Sequence, residues 1–168
     1  GDPSSADPDY DALAAEDIAD ASATNLDDDV PRVLVNPMSG LTTDESGQTA
    51  SFVIRLTVEP SEPVTVPLAS SNTTEGTVEP ASVILDSTNW ETGLTVTVTG
   101  VDDDVIDGPV AYTILTGDPT SGDANYDGLD AADVADVSVT NEDRDTAEII
   151  VTEISGNTKE DGTTASFV

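Results

Sequence analysis

The sequence predicts an all-β protein, an antiparallel β-sandwich of about seven strands. Short runs of residues alternate between apolar and polar, and the clearest is residues 49–58, where Phe52, Ile54 and Leu56 fall on one face. Clusters of Pro, Gly and Asn separate the runs and mark turns. Helical periodicity is almost absent from the chain. The apolar faces of the strands are therefore expected to pack sheet against sheet around one core.

Seven strands are expected in order along the central part of the chain. They lie at residues 32–36, 49–58, 64–68, 82–85, 94–99, 110–116 and 137–139, and two more are expected outside this part, at residues 21–25 and 148–152. Residues 94–99 alternate without a fault, with Thr on the expected solvent face. Trp90 lies in the turn before residues 94–99, and we expect it to plug the end of the core.

Residues 117–145 nearly repeat residues 1–29, and this repeat organises the chain. The two copies are identical at 17 of 29 positions. Residues 45–53 recur in the same way as residues 160–168. A period of about 115 residues indicates an excerpt from a tandem array. The expected parts are the C-terminal tail of a preceding repeat at residues 1–30, a complete β-sandwich repeat at residues 31–145, and the N-terminal strands of a following repeat at residues 146–168.

Four basic and 35 acidic residues give the chain a net charge of −31. This charge disfavours nucleic acid and anionic membrane surfaces as partners, because both are bound through Lys and Arg. Two explanations of the excess acid stay open: solubility in salty water, and binding of divalent cations, which prefer carboxylate oxygen. The absence of Cys and His excludes disulfides, Ser-His-Asp triads and the common zinc sites. No apolar run approaches the ~20 residues of a membrane-spanning helix, so no membrane insertion is expected.

Acidic residues gather at three places that a β-sandwich can bring together: before a strand, at a corner between two strands, and in the linker that leaves the repeat. If these places meet at one end of the sandwich, six or more carboxylate oxygens converge, and calcium takes six to eight. A solvated acidic loop is the alternative. The candidate calcium ligands are Glu45, Asp102, Asp103, Asp104, Asp143 and Asp145, with Asp27 and Asp29 in the matching linker near the start of the chain.

Residues 123–133 contain a second candidate site. The run D-x-N-x-D-G matches the first half of an EF-hand or dockerin calcium loop, so Asp123 and Asp127 are candidate ligands. The closing acid, Asp133, falls at position 11 instead of 12 and is not Glu, and no helix is expected before the loop. These departures disfavour an EF-hand. A looser calcium loop and a simple acidic turn, packed on the sandwich through Tyr126, both stay open.

The central repeat resembles the Calx-β-like and related tandem β-sandwich repeats of very large bacterial surface proteins. The matching features follow in order along nearly the whole repeat: Glu45-Ser46-Gly47 before residues 49–53, Gly76 to Pro80, Asn89-Trp90 before residues 94–99, Val101 with residues 102–104, and Val139-Thr140-Asn141 before the acidic linker. The resemblance implies an immunoglobulin-like (Calx-β-like) β-sandwich that binds calcium at the end nearest the next domain.

The resemblance also assigns Glu45 and residues 102–104 as calcium ligands. Asp143 and Asp145 would close the site from the linker. One element departs from the family pattern. An Asp-Tyr pair usually precedes the acidic corner, whereas in this chain residues 125–127, Asn-Tyr-Asp, follow it.

The function expected from the sequence is structural. The chain is expected to be an extender repeat of a secreted or cell-surface adhesin, with calcium holding neighbouring repeats in line. Its expected partners are the neighbouring repeats and cell-surface or matrix components. The alternative is a carbohydrate- or protein-binding module, which would leave Trp90 exposed. An enzyme is not expected, because no carboxyl group stands in an apolar run that would raise its pKa.

Overall fold

The computed structural model describes residues 3–17, 19–26 and 28–168. Two β-sheets share one hydrophobic core, which confirms the predicted immunoglobulin-like, all-β sandwich. Within these residues there are ten strands: β1 (Val33–Asn36), β2 (Leu41–Asp44), β3 (Thr49–Leu56), β4 (Val64–Ser70), β5 (Gly76–Glu79), β6 (Ser82–Leu85), β7 (Leu94–Gly100), β8 (Val110–Thr116), β9 (Thr120–Ser121) and β10 (Val137–Glu142). The helical elements are α1 (Pro8–Asp11), α2 (Ala124–Asp127) and two 3-10 turns, Ala15–Asp17 and Ala131–Asp133.

One sheet has the strand order β1-β3-β7-β5, and the other has the order β2-β10-β8-β4-β6 with β9 paired to β4. Paired strands are antiparallel except for β2 and β10, which run parallel with Asp44 opposite Glu142. The sequence does not predict β2, because its four residues do not alternate between apolar and polar. The chain changes sheets between β1 and β2 at Gly40, whose φ is +78°. As a result, the beginning and the end of the repeat lie side by side.

Alternate residues of the predicted strands fill the core. In β3, Phe52, Ile54 and Leu56 are almost completely buried, as the alternation predicts. They meet buried side chains of the other sheet, such as Ile114 of β8. Trp90 is half-buried and packs against this core, in agreement with its expected position at the end of the sandwich.

The strands predicted for the flanking repeats are not formed. Residues 21–25 form no strand, although they match β10, which lies between β2 and β8 in the central repeat. Residues 148–152 also form no strand, but Thr152 N–H donates to the carbonyl oxygen of Val168 at 2.8 Å and Ser155 N–H to that of Ser166 at 3.0 Å. The physical reason is that a strand needs paired neighbours and a buried face, whereas Ile149 and Phe167 are exposed.

The loop between β9 and β10 packs α2 against the sandwich. Tyr126 of α2 is 1% exposed, and its hydroxyl donates to the carbonyl oxygen of Val58 at 2.6 Å. Within the described residues, no helix has both the length and the apolar character needed to cross a membrane.

Candidate metal centre

The acidic residues singled out from the sequence gather at one end of the sandwich, called the junction end here because the chain leaves the repeat there. Three segments meet at it: the turn after β2, which carries Glu45; the corner after β7, residues 102–104; and the linker after β10, residues 143–145. The parallel pairing of β2 with β10 brings the first and third segments together, and Glu45 N–H donates to the Glu142 carbonyl oxygen at 3.4 Å.

Glu45, Asp103 and Asp145 form the centre of this cluster. One carboxylate oxygen from each residue lies within 4.8 Å of the corresponding oxygens of the other two. Oxygens that share one calcium ion at about 2.3–2.6 Å lie at most about 5 Å apart. The three carboxylates are therefore spaced closely enough to ligate a single ion. Glu45 is buried, and the other two are half-buried.

Asp145 gives the strongest indication that the cluster binds a cation. Its Oδ2 atom is buried and has no hydrogen-bond partner within the described part of the chain. A buried carboxylate oxygen without a partner loses its hydration and gains nothing in return, so it normally has a donor or a cation. Burial, followed by the negative charges of Asp143, Asp102, Asp104 and Asp103, raises the pKa of Asp145. A cation bound at Oδ2 would give this oxygen a partner and would offset the repulsion from the neighbouring carboxylates.

Glu45 shares the same crowding. The Arg144 backbone N–H donates to its Oε2 at 2.6 Å, and this hydrogen bond alone would lower the pKa of Glu45. Desolvation, with the negative charges of Asp143, Asp145 and Asp103, outweighs it, so the pKa of Glu45 is raised. In this fold, ionisation of both Glu45 and Asp145 therefore carries an electrostatic cost.

Asp143 is held in a different way. Its Oδ2 accepts the Gly108 N–H and its Oδ1 accepts the Asp145 N–H, both at 2.7 Å. These hydrogen bonds, that from Gly108 first, lower the pKa of Asp143. Asp143 is therefore ionised and orients the linker, while its charge adds to the field at Glu45. Asp143 thus stabilises the linker beside the cluster without being one of the three central carboxylates.

Asp102 and Asp104 stand on the rim of the cluster. Both are exposed, whereas Asp103 between them is half-buried and accepts the Val105 N–H at 2.8 Å. Alternate residues of this corner thus point toward and away from the centre. The negative charges of the exposed Asp102 and Asp104 contribute to raising the pKa of Asp145.

The sequence reasoning did not single out Asp44. Its Oδ2 pairs with Arg144 Nη1 at 3.4 Å, which joins the end of β2 to the linker after β10. Hydrogen bonds from Ser46, above all from its hydroxyl, and from the Gln48 backbone N–H lower the pKa of Asp44 in spite of desolvation. The Asp-Glu-Ser-Gly run is a typical Asx turn. It could have indicated that Asp44 forms the turn while Glu45 points into the cluster.

The remaining candidate ligands lie away from the cluster. Asp123 contacts the β3–β4 connection, at the opposite end from Glu45: its Oδ2 accepts the Ser61 N–H at 2.9 Å and its Oδ1 caps α2 through the Asn125 N–H. These bonds, that from Ser61 first, lower the pKa of Asp123. Asp127 accepts the Ser121 N–H at 3.3 Å. Residues 123–127 thus form a capped helical turn, which favours the acidic-turn interpretation of this segment.

The matching linker near the start of the chain is described only in part. Asp29 is exposed, and Asp27 lies outside the described residues. The structure does not bring Asp29 into the cluster of Glu45, Asp103 and Asp145.

Comparison with known proteins finds matches among solved structures only; no protein-family model and no curated protein matches the sequence. The apo-form Calx CBD1 domain is 17% identical over 70% of this chain and 100% of that chain, with a TM-score of 0.45. CBD12 from CALX1.2 is 15% identical over 67% of this chain and 44% of that chain, with a TM-score of 0.46. WR4, an MSP family member of C. elegans, is 15% identical over 66% of this chain and 96% of that chain, with a TM-score of 0.43.

Together, fold and site define a β-sandwich module with a crowded carboxylate cluster at the end from which the chain leaves.

Proposed function

We propose that this chain is a structural extender repeat of a large extracellular adhesin or surface protein, and that calcium bound at the junction end fixes the linker to the next repeat. The observation that carries the proposal is the buried Oδ2 of Asp145, which lies beside Glu45 and Asp103 and has no hydrogen-bond partner among the described residues. Asp145 belongs to the linker itself. An ion bound to it therefore acts on the segment that joins repeats.

The donor set favours calcium among the common metals. The cluster offers only carboxylate oxygen, the ligand of hard cations, and the chain has no Cys or His for softer metals. Glu45, Asp103 and Asp145 would hold the ion. Waters and rim carboxylates can complete a shell of six to eight oxygens, whereas magnesium requires a tighter octahedron.

Calcium would join three segments that otherwise repel one another. Glu45 follows β2, Asp103 follows β7 and Asp145 follows β10, so one ion cross-links both sheets to the linker. Without the ion, the linker is held through the ion pair of Arg144 with Asp44 and through single hydrogen bonds such as Arg144 N–H to Glu45. Burial and this repulsion together raise the pKa values of Glu45 and Asp145. Neutralising it stiffens the connection.

The proposed location is the cell surface or the extracellular space. Calcium is abundant there, and an affinity on the order of 10⁻⁴–10⁻³ M, as in other extracellular modules, is sufficient. The proposed partners are neighbouring repeats of the same protein, followed by cell-surface or matrix components. Trp90 packs against the core, which favours its structural role over stacking on a sugar.

Calorimetric titration of the full chain with calcium and then magnesium tests the proposal. We expect calcium binding that Asp145→Asn abolishes or strongly weakens. Glu91→Gln is the matched control, because it removes one negative charge from an exposed residue beside Trp90, at the opposite end. Binding that survives Asp145→Asn unchanged, or equal binding of magnesium, would contradict a calcium site at the junction end.

A further inference from the structure

We propose that Asn141 is a positioning residue for the junction-end cluster. Its side-chain amide joins the three segments that carry the carboxylates. This inference rests on the proposed calcium site and adds the residue that shapes it. Asn141 is 2% exposed, has no charge and does not belong to the carboxylate cluster.

The first connection is to the segment of Glu45. Thr43 Oγ1 donates to Asn141 Oδ1 at 2.9 Å, and Thr43 is completely buried. Thr43 lies two residues before Glu45 on β2. In the parallel register of β2 and β10, Thr43 is the direct partner of Asn141. This side-chain hydrogen bond stabilises the register of β2 against β10 and thereby the position of Glu45.

The second connection is to the acidic corner. Asn141 Nδ2 donates to the Val101 carbonyl oxygen at 3.1 Å. The Val101 N–H donates to the Glu75 carbonyl oxygen at 3.0 Å, so both polar groups of the Val101 backbone are held. Residues 102–104 begin immediately after this clamped residue. Asn141 and Glu75 therefore determine where the corner departs from β7.

The third connection is covalent. Asn141 lies in β10, two residues before Asp143 and four before Asp145. Through its side-chain hydrogen bonds, Asn141 therefore holds the start of the linker in place relative to the other two segments. Asn141 Nδ2 also lies 3.5 Å from Glu75 Oε2, so its two amide hydrogens face two acceptors. A neutral amide suits this position, because it supplies both donor and acceptor without adding charge beneath a crowded cluster.

The side-chain connections of Asn141 are single hydrogen bonds, so their loss should move the carboxylates by fractions of an ångström and leave the fold in place. Groups that orient metal ligands from outside the ligand shell typically change metal affinity by about 10- to 100-fold when they are removed. The recurrence of the residue as Asn25, before the matching linker, fits a role in each repeat.

The test compares calcium affinity in three variants of the full chain by calorimetry, each measured well below its own unfolding temperature. Asn141→Leu keeps the approximate size of the side chain and removes its hydrogen bonds to Thr43, Val101 and Glu75. Thr43→Val removes only the link to β2, and it decides the question if Asn141→Leu does not fold. Thr116→Val is the control, because Thr116 is also buried, bonds to Val134 and Asp136, and lies at the opposite end of β8.

We expect Asn141→Leu to weaken calcium binding by about tenfold or more, Thr43→Val to weaken it less, and Thr116→Val to leave it unchanged at a similar loss of thermal stability. If wild type and all three variants bind calcium equally, the positioning role is overturned and the calcium site stands. If Thr116→Val weakens binding as much as Asn141→Leu, the effect is one of general stability and the inference is also overturned. If wild type binds no calcium, the proposed function fails, and the inference fails with it.

Discussion

At the scale of single residues, the same amino acid has different roles in the two copies of the repeat. Tyr126 is 1% exposed, whereas its counterpart Tyr10 is 62% exposed. Both follow an Asp that caps a four-residue helix, Asp123 and Asp7. The local sequence therefore specifies the helical turn, but burial of the tyrosine needs the sandwich against which it packs.

Tyr126→Phe should destabilise the fold by about 1–3 kcal/mol, because the Val58 N–H and carbonyl groups lose their hydroxyl partner. Tyr10→Phe is the matched control and should have no effect on stability. Urea denaturation of both variants measures the difference. Equal stabilities would show that the hydroxyl of Tyr126 adds nothing to the packing of its ring.

The pH dependence of stability should change sign with calcium. Without calcium, Glu45 and Asp145 have pKa values raised above their ordinary values of 4.5 and 3.8, so the folded state binds protons more readily than the unfolded state. Their contribution is therefore fully present below these ordinary values and is lost as pH rises through the folded values. Acidification from neutral pH toward 4.5 should thus raise the unfolding temperature in chelator.

With excess calcium, protons compete with the ion, and the same acidification should lower the unfolding temperature. Below about pH 3.8 both samples should lose stability, since Asp44, Asp123 and Asp143 have lowered pKa values and are stabilising only when ionised. Thermal unfolding between neutral pH and pH 3 measures both curves. Parallel curves with and without calcium would contradict the assignment of Glu45 and Asp145 as its ligands.

At the scale of secondary structure, the strands with clear alternation are predictable and the contacts at their ends are not. The pattern of β3 and β7 identifies both strands and their buried faces. Strand β2, the parallel partner of β10, has no such pattern, because it is only four residues long and its last two residues, Thr43 and Asp44, are both buried. Its pairing depends on contacts about a hundred residues away in sequence, which periodicity does not contain.

Gly100 shows how closely these elements approach one another. A Cβ atom at Gly100 would lie 2.1 Å from the Asp44 carbonyl oxygen and 2.6 Å from Asn141 Oδ1. Gly100→Ala should therefore separate β7 from β2, cost about 1–3 kcal/mol as overpacking does, and weaken calcium binding. Gly156→Ala, where a Cβ meets open space, is the control. Denaturation and calcium titration that show no difference between the two variants would contradict this packing account.

At the scale of the whole molecule, the sequence predicts the location of the cluster better than its internal arrangement. Adjacent carboxylates at a corner, a turn and a linker indicate one common end, and the structure brings Glu45, Asp103 and Asp145 together there. The division of labour within the cluster depends on three-dimensional contacts. Each carboxylate oxygen of Asp143 accepts a backbone N–H, whereas Asp145 has a buried oxygen without a partner in the described chain.

The charge of the molecule fits two needs at once. Most of its acidic residues lie outside the cluster, exposed on loops, where they keep the chain hydrated. The few that are crowded at the junction end need a counter-ion. Only the acidic residues of the junction end can influence the geometry of the linker through their charge.

Trypsin cleavage of the linker tests the central claim most directly, namely that calcium fixes the junction. Arg144 lies in the linker with its side chain 62% exposed, and Lys159, which follows the linker in sequence, provides an internal reference. We predict that calcium slows cleavage after Arg144 severalfold relative to cleavage after Lys159, and that Asp103→Asn, distant in sequence from the cleaved bond, removes this protection. Cleavage after Arg144 at the same relative rate in calcium and in chelator would contradict the account.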